Sequence, residues 1–133
     1  TMFMLPPWLR LMDFQYHEGE ISAKLGDFKS HLSMAPSAYF HRNVGIGASC
    51  VRRADIEMRD EIGLESIMWG SDFPHPEGTW PNTPAYFRET FSGLPEDDGR
   101  KILGENAVAF YGLDRERLRA VADEIGPEPT IFN

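Results

Sequence analysis

Cysteine is almost missing from this chain, with Cys50 its single example. That excludes an internal disulfide framework and every cysteine-based zinc-finger spacing, and a lone thiol suits a reducing, cytoplasmic setting. Long apolar runs are missing as well: none approaches the roughly 18 residues of a membrane span. The apolar opening from Thr1 to Met12 contains Pro6-Pro7 and no basic start, so it does not read as a signal peptide. Positive charge is scarce. A formal net charge of -8 with no Lys/Arg cluster argues against a nucleic-acid partner, because phosphate binding wants basic groups gathered on one face. No glycine loop that cradles phosphate is present, since Gly45-x-Gly47 falls inside a strand candidate. There is no internal repeat. Finally, 133 residues suffice for one small domain but not for a closed eight-stranded α/β barrel, which takes about 200 or more. An opening of Thr1-Met2 implies that the natural start lies elsewhere.

What is present organises itself along the chain 1–133 as a single segment. Trp8, Leu9, Met12 and Tyr16 recur at helical spacing from Pro6 to about Glu18, with Leu11 and Phe14 widening the apolar face. Residues 19–35 read as an irregular connection, and Pro36 to Arg42 as a turn or two of helix. The first strand candidate is 43–51. There Val44, Ile46, Ala48 and Cys50 alternate with Gly45, Gly47 and Ser49, giving one apolar face and one bare face suited to a crowded barrel interior or a ligand. Residues 54–62 follow as a helix, with Ala54, Met58 and Ile62 at four-residue spacing, and Gly63 stops it. The second strand candidate is 65–71, so strand, helix and strand form a βαβ unit with parallel neighbours. Three helices finish the chain at 84–92, 95–111 and 114–125. Ile102, Leu103, Ala107, Phe110 and Tyr111 mark the inner face of the second, and Leu118, Val121 and Ile125 that of the charged third. The tail from Glu128 to Asn133 is expected to be loose.

Chemistry concentrates just after the second strand, in Trp69-Gly70-Ser71-Asp72-Phe73-Pro74-His75-Pro76-Glu77-Gly78-Thr79-Trp80-Pro81. An apolar strand delivers a carboxylate at its C-terminal end, where α/β sheets and barrels bind ligands. Such a carboxylate can hold a cation or accept a proton from an attacking water. If Asp72 points inward, strand alternation places it on the side of Met68 and Gly70. Taken alone, Asp72 before Phe73-Pro74 reads first as a turn-capping aspartate and only second as a ligand. His75 is a second-shell or substrate-contacting candidate, or else a turn residue packed on Trp80. Glu77 is a similar candidate, or a structural acceptor in the loop. Cys50 reads as an ordinary buried thiol, Trp69 and Trp80 as packing, and His17 and His41 as surface or interface residues.

This run resembles the last-strand motif of the amidohydrolase-related family of metal-dependent hydrolases and decarboxylases, of the amidohydrolase 2 type. The likeness continues through Leu94-Pro95-Glu96-Asp97-Asp98 and Lys101-Ile102-Leu103-Gly104-Glu105-Asn106-Ala107 to Phe110-Tyr111-Gly112-Leu113. Upstream, Pro36-Ser37-Ala38-Tyr39-Phe40-His41-Arg42-Asn43 resembles the segment leading into the family's seventh strand. The resemblance implies an α/β fold, the C-terminal fragment of a TIM (β/α)8 barrel with about two parallel strands and five or six helices. It also implies a divalent metal, zinc foremost, with Asp72 as its ligand or as the catalytic proton acceptor.

The sequence departs from the family in its histidines. His17, His31, His41 and His75 include no His-x-His pair, and none ends a strand candidate. One carboxylate cannot hold a catalytic zinc, which takes three protein ligands and an open position. The expectation is therefore a hydrolase for C–N or ester-type bonds, or a decarboxylase, whose intact barrel holds the metal and acts on a small-molecule substrate, while this chain alone is inactive and either shares in that metal or binds none. The alternative is a non-catalytic remnant that oligomerises or binds a partner. Homo-oligomerisation or pairing with the missing barrel portion is expected in either case, because a two-stranded parallel sheet leaves open edges.

Overall fold

The computed structural model describes residues 2–18, 26–27 and 29–133. The irregular connection expected over 19–35 lies outside the described residues at 19–25 and 28. In chain order the elements are α1 (Leu5–Glu18), α2 (Pro36–Asn43), strand β1 (Ile46–Ser49), α3 (Arg53–Glu57), α4 (Arg59–Ile62) and strand β2 (Ile67–Gly70). They continue with α5 (Thr83–Phe91), α6 (Glu96–Arg100), α7 (Asn106–Tyr111) and α8 (Arg115–Ile125). Both strands are shorter than their candidates 43–51 and 65–71. They pair in parallel, with Ile46 opposite Ile67 and Ser49 opposite Gly70, and α3 and α4 form the crossover between them. The result is an open two-stranded α/β unit, consistent with part of a TIM-type barrel. Among the described residues no helix is long and apolar enough to cross a membrane.

The helix expected over 54–62 is broken at Met58, and the buried positions shift. Ala54 is exposed, whereas Ile56 and Ile62 are fully buried. These two isoleucines would stand about 120° apart on one regular helix, and the break lets both reach the core. Asp55 anchors the start of α3. Its buried carboxylate accepts the Arg52 backbone N–H at 3.2 Å and the Met2 N–H at 2.8 Å, which ties the beginning of the chain to the crossover. The helix expected over 95–111 also changes course, with a π-helical turn at Lys101–Glu105 between α6 and α7. At its end Asn106 is buried, and its side-chain amide donates to the carbonyls of Leu64 and Ile67, both at 2.8 Å. One side chain thus clamps the start of α7 to the first residue of β2. Gly112, at φ 62°, closes α7 in the left-handed conformation that favours glycine.

The core lies between the crossover, β2 and α5, where Ile56, Ile62, Ile67, Phe91 and Ile102 are all but sealed from solvent. The tail is not loose. Its last turn, Pro129–Phe132, buries Ile131, the Gly93 N–H donates to the Phe132 carbonyl at 2.8 Å, and the Phe132 ring fills the space beside Gly99. Conversely, several expected inner faces stay outside. Trp8, Leu11 and Phe14 on α1 are exposed, as are Phe110 and Tyr111 on α7 and Leu118, Val121 and Ile125 on α8. Periodicity marks a helix's apolar side without saying that a partner covers it.

The two faces of the sheet differ. Ala48 and Ile67 join the core, Ile46 and Trp69 pack against it, and Trp69 meets the edge of Phe87 at 4.8 Å between ring centroids. On the opposite face, Met68 and the Phe110 ring crowd Gly45. Nothing lies within 4 Å of where a Gly47 side chain would begin, and at Gly70 only the Ser49 hydroxyl comes that near. The bare face read from the sequence is there, and it is open toward the C-terminal ends of both strands.

Candidate metal site

Where β2 ends, the chain turns sharply. Gly70 is its last strand residue and Asp72 stands at φ 59°, so strand alternation does not extend to Asp72 and does not decide where its carboxylate points. The position is set by a tight loop instead. The Thr79 N–H donates to the Ser71 carbonyl at 3.0 Å and closes the loop at its neck. Inside it, His75 N–H reaches the Asp72 carbonyl at 2.8 Å and Gly78 N–H the His75 carbonyl at 3.0 Å. A Cβ on Gly78 would sit 2.8–3.1 Å from the carbonyl oxygens of Ser71, His75 and Asp72, so this close approach needs glycine.

The loop also rests on the neighbouring strand. Cys50 follows β1 in a left-handed conformation of its own, its N–H donates to the Gly70 carbonyl at 3.3 Å, and its thiol donates to the Glu77 carbonyl at 3.3 Å. The thiol read as buried is in fact partly exposed, and it works as a brace between strand end and loop. Just beyond it the Tyr86 hydroxyl donates to the Val51 carbonyl, and burial pushes that phenol above its ordinary pKa.

This backbone gathers the three residues singled out from the sequence. Asp72 Oδ1 lies 3.1 Å from His75 Nδ1, and one donor atom each from Asp72, His75 and Glu77 all fall within 4.8 Å of one another. The Asp72 side chain is 22% exposed against 67% for His75, so the aspartate forms the sheltered floor and the imidazole the outer wall. No Lys or Arg ion pair reaches Asp72 or Glu77 among the described residues. Oxygen, nitrogen and oxygen donors suit zinc or a similar divalent ion, and three protein donors leave a position for water or substrate. The chemistry of the donor set therefore fits a metal.

The remaining candidates are elsewhere. His17 and His41 are exposed on α1 and α2, and His31 ends a short turn at Lys29–His31. Trp69 packs toward the core, while Trp80 is exposed and meets Phe73 edge-on at 5.9 Å rather than covering the site from within. Sequence reasoning missed the Cys50 brace and the Asn106 clamp. The one available signal for the loop's tightness was Gly78, placed directly after the three donors.

No solved structure matches this chain. The family described as Amidohydrolase does match, over residues 22–113, a span that takes in both strands, the donor loop and the Asn106 clamp. Because that match covers most of the chain, the protein belongs to the amidohydrolase family.

Proposed function

We propose that this chain is the C-terminal portion of a metal-dependent hydrolase barrel and brings Asp72 to its reaction centre. The observation that carries the reading is a sheltered carboxylate at the C-terminal end of β2, inside the loop that the family match spans. A divalent metal, zinc by preference, supplies Lewis-acid polarisation of the substrate or water when bound. Asp72 then holds the metal or takes the proton as water attacks a C–N or ester-type bond, or assists loss of carbon dioxide from an aromatic acid. His75 orients Asp72 through its 3.1 Å contact, and the bare face at Gly47 and Gly70 leaves room for a small-molecule substrate. Turnover requires the remaining strands, from the same polypeptide or a partner chain. A single partly exposed thiol agrees with a cytoplasmic setting.

The test is turnover of amide, ester and aromatic-acid panels by the assembled barrel, with metal content measured on the same material. Asp72→Asn is expected to lower turnover by about 100-fold or more, in line with loss of a proton acceptor. Turnover equal to the parent's sinks the reading.

A second reading, a non-catalytic domain that oligomerises or binds a partner, draws on a different observation. Trp8, Leu11 and Phe14 form an exposed apolar side of α1, and the parallel sheet has open edges. Light scattering should then report self-association that weakens when Trp8 and Leu11 are both changed to Ser. A compact monomer at all concentrations contradicts it.

A further inference from the structure

We infer that α8 is a self-pairing helix, through which two copies of this chain join side by side and antiparallel about a two-fold axis. α8 begins at Arg115, beyond residues 22–113 that match the family, so no role comes to it from there. None of its 11 residues is buried, yet its pattern is two-sided. Leu118, Val121 and Ile125, with Ala122 among them, fall within about 100° of one another around the helix, at the spacing of a seam between helices. The three large side chains are 41%, 51% and 76% exposed, and among the described residues no other large apolar side chain is as exposed as Ile125. Leu118 and Ala122 border a groove toward Leu103, Val108 and Phe132, whereas Val121 and Ile125 lie outside it, open to a neighbouring molecule.

Charge names the occupant. Arg115, Arg117 and Arg119 crowd the first half of α8 and Asp123 and Glu124 the second, with no basic residue in the last turn. The helix dipole favours the opposite order, so this arrangement costs the helix standing alone. Asp114, which caps the Arg117 N–H, and Glu116 offset the first turn only. A second α8 running the other way relieves both ends, because each basic half then lies along an acidic half. The register closes on both flanks of the seam. With the axis near Val121, Arg119 of each copy meets Asp123 of the other, Arg117 meets Glu124, and Leu118 meets Ile125. A parallel pair would set arginine against arginine. Ion pairing within one copy competes weakly: Arg119 reaches Asp123 only at 3.8 Å, with side chains 79% and 73% exposed. Arg115 is already held by Glu105 at 3.0 Å and takes no part. A pair of helices this short is a small interface, so the dimer dissociates on dilution.

The experiment is sedimentation equilibrium on the chain and two charge variants, one with Arg117→Glu and Arg119→Glu, the other with Asp123→Lys and Glu124→Lys. Each variant improves the charge at one end of the helix dipole, so neither should lose helix by circular dichroism. The parent is expected to form a reversible dimer. Each variant alone should dissociate at least tenfold more readily, and an equal mixture of the two should associate again as a heterodimer. Ile125→Ser, at a position too exposed to matter to the fold, should weaken the parent dimer as well, whereas Trp8→Ser with Leu11→Ser should leave it unchanged. A parent that stays monomeric at every concentration overturns the pairing. Charge variants that associate as the parent does place the contact on α1 or the open sheet edges and overturn it too. A mixture that stays monomeric rules out the antiparallel arrangement. The turnover test of Asp72 stands apart from all of these outcomes.

Discussion

One face of the β1–β2 sheet is covered along its length, whereas the other is filled by Met68 and Phe110 near its start and bare only toward its C-terminal end. Ile46, Ala48, Ile67 and Trp69 press toward the crossover helices and α5, while Gly47, Ser49 and Gly70 carry almost nothing above them. Parallel sheets are normally covered on both faces. The difference is one of packing: apolar burial is concentrated on the covered side, and the open end of the other side is continuous with the Asp72 loop.

The hardest blow to that contrast falls on the sealed side. Phe91→Ala removes a fully buried ring and should cost about 3–5 kcal/mol in urea unfolding. Its counterpart, Gly47→Ala, places a methyl in open space and should be neutral or stabilising by up to about 1 kcal/mol. A large loss at Gly47 would mean that the bare face is not bare.

Asn106→Ala comes next. It leaves two carbonyls at the start of β2 without their donor, so about 2–4 kcal/mol should be lost in the same measurement, mostly as unpaired polar groups. Gly78→Ala sharpens the comparison from the loop side. A Cβ against three carbonyl oxygens should cost about 1–3 kcal/mol in the same unfolding measurement by loosening the loop.

The smallest effect is electrostatic and sits away from both faces. The Lys101 ammonium, hydrogen-bonded to Glu65 at 3.1 Å, holds the Glu65 carboxyl below its ordinary value. A depressed folded-state pKa contributes stability above the ordinary carboxylate range, and that contribution disappears as pH falls through the lowered value. Glu65→Gln should therefore flatten the acid limb of the stability curve slightly. High salt should shrink the effect, since both side chains are exposed.

Much of this was legible from residue order because the signals were local. Alternation of small and apolar residues from Val44 to Cys50 marked β1 and its bare face, and Pro36, Gly63 and Gly112 marked helix boundaries through their own backbone preferences. The donors Asp72, His75 and Glu77 stood out because a strand end and prolines surround them. What failed was nonlocal. The helical spacing in α8 promised a buried stripe, yet Leu118 is 41% exposed and Ile125 76%, so the stripe stays largely uncovered. The tail, polar and proline-bearing, promised looseness, yet Ile131 found a place in the core.

By itself the order of residues determined the parallel βαβ unit, the apolar side of the first strand and the identity of the candidate donors, since each follows from the conformational preference of neighbouring residues. Only the tertiary structure decided that those donors converge. A loop closed by the Ser71–Thr79 hydrogen bond, a glycine with no room for a side chain, and a cysteine just past the end of the neighbouring strand accompany their approach to within 4.8 Å. Spacing along a chain says which groups are available, whereas distance between them is set by contacts with segments the local pattern cannot see.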